Sequence, residues 1–295
     1  MPNSKDRKEG SRKRAQRYRG EVNKPRKKVK IQGTQTVPTN LPVQFLNIDL
    51  PDSKGLFTEL QNMFTKLNED GHQRPRGPFN HLIPRDQISL SVDGKLRYIY
   101  NKSAREMPLR PWGSEVNKII DLLQEKLRVT YELVLVNQYK DGDDSVSWHS
   151  DDEAMIDQAF PIISISVGHS RIFKVRQKLT SYEKEHNKQV NLERKQPKKM
   201  LTLPGDEEQK EQLIKYPIHN FIVSDGDVLI MGAGCQTSHE HMVPKMRKGE
   251  TIIKISRKDY VNNHGEEKKI IGVRHGDTMI PRFNLTFRKY NSSNE

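Results

Sequence analysis

Cysteine is almost missing from this chain. Cys235 is the single thiol in 295 residues, which excludes an intramolecular disulfide framework and a zinc site built on several cysteines. That scarcity fits a reducing, intracellular setting. Long apolar runs are missing as well. Mean hydropathy is −0.86, and the longest aliphatic run near the middle, Leu133-Val134-Leu135-Val136, falls far short of the roughly 18 apolar residues of a membrane-crossing helix. The N-terminus is charged from Lys5 onward and has no apolar stretch, so we expect no secretory signal. What apolar material there is, 33% of the chain, suffices for one large or two modest cores.

Charge of one sign is in excess, but only locally. The formal net charge is +13, from 51 Lys/Arg against 38 Asp/Glu. Residues 1–30 hold 13 of the basic groups and only Asp6, Glu9 and Glu21 on the acidic side, which leaves a nearly balanced body of 38 against 35. That stretch has almost nothing aliphatic to bury, so we expect residues 1–37 to be a disordered basic tail. Its clusters Arg12-Lys13-Arg14 and Lys24-Pro25-Arg26-Lys27-Lys28-Val29-Lys30 suit an import receptor, a phosphate backbone, or both.

From about Pro38 the composition becomes globular. Leu56, Phe57, Leu60, Met63, Phe64 and Leu67 recur at helical spacing, and Val116, Ile119, Ile120, Leu123 and Leu127 mark a second helix over 114–127. Short β-like runs follow at 130–139, 161–167, 171–176, 218–223, 226–231, 251–256 and 282–290, separated by turn signals such as Asp141-Gly142 and Asp225-Gly226. Helices first, then many short strands, predict a mostly β protein: a jelly roll with N-terminal buttressing helices, one domain over 38–295. Two charged stretches, near 177–215 and 243–280, are too poor in apolar residues for cores of their own and read as insertions.

Two motifs carry chemistry. His149-Ser150-Asp151 sets an imidazole and a carboxylate two apart, which on a strand places both on one face. With one distant His, such a pair is the ligand set of the facial triad that holds Fe(II); alone it is weak, since chance supplies roughly 0.6 such pairs in this composition. The run 282–288 says more. Arg282, Asn284, Thr286 and Arg288 alternate with Phe283, Leu285 and Phe287. Either the polar face looks outward at a sheet edge, or it lines a barrel, where two guanidiniums need an anion. The two arginines stand about 20 Å apart along an extended strand at roughly 3.3 Å per residue, and long side chains could converge from there on a small dicarboxylate.

Taken in order, Asn137-Gln138-Tyr139-Lys140-Asp141-Gly142, His149-Ser150-Asp151-Asp152-Glu153, His241-Met242-Val243-Pro244 and Arg282-Phe283-Asn284-Leu285-Thr286-Phe287-Arg288 resemble the AlkB family of Fe(II)- and 2-oxoglutarate-dependent dioxygenases, and within it the nuclear branch that repairs alkylated DNA. The resemblance runs from about residue 82 to 290. It implies a double-stranded β-helix fold, with His149, Asp151 and His241 as iron ligands. His239 is a rival for the third place, and Pro244, three residues after His241, matches the family spacing. It further implies that Arg282 pairs with the distal carboxylate of 2-oxoglutarate and Arg288 with the end near the iron. Asn137, Tyr139, Asn284 and Thr286 would complete the cosubstrate site. Tyr98 and Tyr100 would hold a flipped base, Glu153 would face its exocyclic group, and Gly77-Pro78-Phe79 lies where a base-flipping wedge belongs.

The implied reaction takes 2-oxoglutarate and O₂ to succinate and CO₂ while an N-methyl group is hydroxylated and lost as formaldehyde. The implied partner is alkylated DNA or RNA, met in the nucleus by a monomer with no membrane association. The stretches from Asp151 to His241 and from His241 to Arg282 are longer than the family usually shows, and Ser150 replaces a longer polar side chain. Two other readings stand beside this one: a non-catalytic nucleic-acid-binding protein on the same scaffold, and an oxygenase acting on a protein side chain.

Overall fold

The computed structural model describes residues 41–71, 74, 82–92, 96, 99–100, 105–106, 109–195, 212–246, 251–254, 271–274 and 281–291, all of them within the unit 34–295. The basic tail, Gly77-Pro78-Phe79 and Tyr98 lie outside the described residues. The chain begins with β1 (Val43–Leu46), α1 (Ser53–Glu69), β2 (Asp86–Ser91), β3 (Ile99–Tyr100), β4 (Arg105–Glu106), β5 (Leu109–Pro111) and α2 (Ser114–Leu127). It continues with β6 (Leu133–Tyr139), β7 (Val146–His149), β8 (Ile162–Gly168), β9 (Arg171–Gln177), α3 (Ser181–Lys195), β10 (His219–Val223) and β11 (Val228–Met231). A one-turn α4 (Cys235–Ser238), β12 (His239–Val243), β13 (Thr251–Lys254), β14 (Ile271–Arg274) and β15 (Arg282–Arg288) complete it. No described helix is long and apolar enough to cross a membrane.

Two sheets build the jelly roll. The larger runs β1-β11-β8-β15-β6-β2-β5 and the smaller β10-β9-β12-β7. Strand alternation divides the core into two layers. Ile88, Leu90, Val134, Val136, Ile163, Ile165, Val167, Phe283, Leu285 and Phe287 meet Leu56, Leu60, Phe64 and Leu67 of α1 and Val116, Ile119, Ile120 and Leu123 of α2. The opposite face supplies Leu133, Leu135, Tyr139, Ile162 and Met231 to Phe173, Val175, Phe221, Val223 and Val243 of the smaller sheet. Each such side chain contributes about 1.5–3 kcal/mol by leaving water. The helices therefore buttress the outside of the larger sheet, and the space between the sheets is left for the site.

The helices are held by local chemistry. Asp52 caps α1, its carboxylate accepting from the N–H groups of Lys54 and Gly55. Glu59 reaches from α1 to the first turn of α2, where it accepts from the N–H of Glu115 at 3.1 Å, an anion at a helix N-terminus.

Several elements differ from expectation. The order is not helices and then strands: β2 lies between the two helices in sequence and pairs with β6 inside the larger sheet. Its alternating Asp86-Gln87-Ile88-Ser89-Leu90-Ser91 is buried on both faces, so period two was present but its polar members do not face water. The outward-facing alternative for 282–288 is excluded, because β15 pairs with β6 on one side and β8 on the other and all seven of its residues are buried. The charged stretch after Gln177 carries α3. Its start follows from a capping box, in which Glu183 N–H donates to Thr180 Oγ1 and Thr180 N–H to Glu183 Oε2.

Candidate active site

Antiparallel pairing of β7 with β12 sets His149 directly opposite His241, with ring centroids 4.2 Å apart. Asp151 is not on a strand. It lies in irregular backbone two residues past β7, so the expected strand alternation of His149 and Asp151 does not hold. Its Oδ1 stands 3.6 Å from His149 Nε2 and its Oδ2 4.0 Å from His241 Nε2. One donor atom from each of the three lies within 4.8 Å of the others, and among the described residues this is the one such cluster. His239, the rival, is not part of this cluster, and its Nδ1 lies 2.8 Å from Ser238 Oγ.

Electrostatics prepare these groups as ligands. Burial pushes both imidazoles down, His241 to about 3, so each is neutral and keeps a lone pair. His149 Nδ1 donates to the Ser147 carbonyl at 2.9 Å, which leaves Nε2 facing Asp151 as the free donor atom. Burial alone would raise the Asp151 carboxyl. The Arg288 guanidinium, 2.8 Å away, is the largest opposing influence, and the carboxyl is held below its usual range.

A small cavity opens beside this cluster. Asn137, Tyr139, His149, Asp151, His241, Asn284, Thr286 and Arg288 all line it. The Asn137 carbonyl oxygen accepts from Arg85 Nε at 2.8 Å and Gln87 Nε2 at 2.6 Å, which fixes its amide. Asn284 donates to Ser164 Oγ at 2.8 Å. Arg282 stands behind this wall and not on it, its guanidinium 5.1 Å from the centre of the Tyr139 ring. Its Nη2 donates to Ser166 Oγ at 3.0 Å, while Nε and Nη1 are buried without a hydrogen-bond partner. Burial presses this guanidinium down to about 10, still cationic at neutral pH. β8 ends beside it at Gly168, where φ is +86° and a Cβ would lie 2.4 Å from the Pro281 carbonyl oxygen, so glycine is needed for β15 to enter the sheet here.

Besides Arg282, a second expected residue, Glu153, is not brought into the cavity wall. Glu153 is part-buried two residues beyond Asp151. Tyr100 is described by backbone alone, in β3 opposite Arg105. Sequence reasoning passed over Arg85, which points from the start of β2 into the cavity, and Phe173, stacked on His241 at 5.3 Å. Arg85 adjoins an alternating run that signalled a strand; the stacking of Phe173 arises only from sheet pairing.

Two neutral imidazoles and one carboxylate, with open positions, make up the donor set of non-haem iron oxygenases. The comparisons agree. Residues 51–288 match the 2OG-Fe(II) oxygenase superfamily, so the chain belongs to that superfamily, in its AlkB family. It is 36% identical over 98 residues to the Mus musculus protein named DNA oxidative demethylase ALKBH2, covering 33% of this chain and 40% of that one. It is 29% identical over 152 residues to the Homo sapiens alpha-ketoglutarate-dependent dioxygenase alkB homolog 3, covering 52% and 44%. The matches span less than half the length of these relatives. A solved structure titled "The structure of OsALKBH1" aligns with a TM-score of 0.45 at 15% identity over 86% of this chain and 100% of that one. The superfamily takes Fe(II), 2-oxoglutarate and O₂. The residues present fit them: a three-donor cluster for the metal, and buried guanidinium N–H groups without partners for a carboxylate.

Proposed function

We propose that this chain is an Fe(II)- and 2-oxoglutarate-dependent dioxygenase that demethylates N-alkylated nucleobases in DNA or RNA, releasing succinate, CO₂ and formaldehyde. The observation that carries the reading is β15, which buries two guanidiniums on one face, Arg288 of them paired with the Asp151 of the His-His-Asp cluster. His149, Asp151 and His241 hold the metal. Arg282 takes the distal carboxylate of 2-oxoglutarate and Arg288 the end near Asp151. Asn137, Tyr139, Asn284 and Thr286 present hydrogen-bonding groups between them. When bound, iron with its cosubstrate and O₂ supplies the oxidising equivalents that a C–H bond of an N-methyl group demands and no side chain possesses.

A base must leave its stack to reach a metal at the bottom of a cavity, which costs least where pairing is already damaged. Tyr98, Tyr100 and Glu153 are assigned to that base by the family resemblance. The basic tail, residues 1–37, serves nuclear entry or phosphate contact, outside a dioxygenase domain over 38–295 that acts as a monomer. The name of the Mus musculus relative, a DNA oxidative demethylase, supports DNA as the first substrate to try. Loss of turnover is disfavoured because a buried guanidinium with two nitrogens lacking a hydrogen-bond partner is costly to keep for no purpose.

The test is formaldehyde release from a 1-methyladenine oligonucleotide with Fe(II), 2-oxoglutarate and ascorbate. Release should need both cofactors and vanish in Arg282→Ala. Succinate without formaldehyde would move the substrate to another class, such as a protein side chain. Neither product from metal-loaded protein would leave a binding module.

A further inference from the structure

His149 and His241 need no special device to stay in place, because the β7–β12 ladder fixes both. Asp151 has no ladder. It lies in irregular backbone, yet it is almost wholly buried and must keep its carboxylate aimed between two imidazoles. Its peptide groups are gripped on both sides by glutamine side chains. The Asp151 N–H donates to Gln236 Oε1 at 2.9 Å, and the Asp151 carbonyl accepts from Gln158 Nε2 at 3.0 Å.

The two glutamines are themselves tied together. Gly234 opens α4 with φ +74°, and its N–H donates to the Gln158 carbonyl at 3.3 Å. The hydrogen bonds thus close a ring from Asp151 to Gln236, through α4 to Gly234, on to Gln158 and back to Asp151. Lys178 braces the ring from the end of β9: its Nζ donates to the Gln236 carbonyl at 2.6 Å and its N–H to the Ser238 carbonyl at 2.9 Å. Gln236 is buried, and its Nε2 rests 3.5 Å from Met231 Sδ. Neither glutamine lines the cavity.

We infer that Gln236 is a positioning residue for the metal site, holding the backbone of Asp151 so that its carboxylate meets both histidines, with Gln158 as the second arm. The inference rests on the reading of His149, Asp151 and His241 as metal ligands. Gln236 touches neither metal nor cosubstrate and acts only through Asp151. Outer-shell groups of this kind are typically worth 10- to 100-fold in metal affinity.

The experiment titrates the full chain with Mn(II), without 2-oxoglutarate or nucleic acid, and reads free Mn(II) by electron paramagnetic resonance. The parent should bind one ion and His241→Ala should not. Gln236→Met keeps the length and loses the acceptor; its Mn(II) Kd should rise about 10-fold or more. Gln236→Glu keeps an oxygen at the same reach and should stay within about threefold of the parent, since the hydrogen bond to Asp151 N–H survives. A Gln236→Met protein that binds Mn(II) like the parent overturns the inference, as does a Gln236→Glu protein as weak as Gln236→Met. If Gln236→Met does not fold, Gln158→Met, which releases Asp151 from its carbonyl side, is judged by the same tenfold criterion. A parent that binds no Mn(II), or binds it equally well after His241→Ala, removes the metal-site reading itself and this inference with it.

Discussion

Arg282 and Arg288 occupy opposite ends of one strand, on the same face, and each is 1% exposed. Their surroundings are not alike. Arg288 is paired with Asp151 at 2.8 Å. Arg282 rests on a tyrosine ring and a serine hydroxyl, with two N–H-bearing nitrogens buried and unpartnered. One end of β15 is electrostatically complete within the chain, and the other is not. A buried ion pair is destabilised by removing one partner, whereas a buried charge without a partner costs free energy merely by being there. The same residue type on the same strand is thus already ion-paired at one end, and at the other keeps two nitrogens without a hydrogen-bond partner.

Breaking the complete end should have the larger effect. Arg288→Ala leaves the Asp151 carboxylate buried and unpaired, and should cost about 3–5 kcal/mol of stability as well as activity. Thermal denaturation should show a large fall in Tm, and Mn(II) should restore part of it, because a cation bound to Asp151 replaces the lost charge and ligand binding stabilises by mass action. A Tm close to the parent's would mean the pair carries little. Arg282→Met sharpens the comparison from the other side. It removes a buried charge and keeps apolar volume, so Tm should hold or rise. The KM for 2-oxoglutarate should rise by about 10- to 150-fold, the loss of a charge-assisted hydrogen-bonded pair worth about 1.5–3 kcal/mol. Mn(II) affinity should not move. A fall in Tm as large as that of Arg288→Ala would show that the two ends do not differ in kind.

Local order was readable where a short stretch carries its own pattern. The α2 stripe has the spacing of its helix, with Val116, Ile119, Ile120 and Leu123 buried and Leu127 half-buried at its end, and the alternation of 282–288 separates the two faces of β15. The histidines and Asp151 were marked by a motif, but the reason attached to the motif was wrong, since Asp151 sits off the strand. What places it is Gln236, 85 residues away, and no local period reports such a distance. Arg85 escaped for a related reason: Pro84-Arg85 looks like loop, and only the pairing of β2 with β6 turns it beside Asn137. Substrate contacts remain at the level of resemblance, because Tyr98 lies outside the described residues and Tyr100 is described by backbone alone.

The smallest expected effects come from the helix caps, and they separate elements that belong to the buried frame from one that does not. Asp52 caps α1, which sends Leu56, Leu60, Phe64 and Leu67 into the core against β15. Asp52→Ala should therefore lower global stability by about 1 kcal/mol, seen as a shifted denaturant midpoint with an unchanged m-value. Thr180 caps α3 through its hydroxyl, but of the residues of α3 with described side chains only Val190 is buried. Loss of this cap can fray the helix without loosening the core, so Thr180→Ala should leave the denaturant midpoint near that of the parent. Its effect should appear instead as faster amide exchange over 181–186, a local opening below the global transition. Equal midpoint shifts for the two variants would make α3 part of the same cooperative unit as β15 and its two arginines.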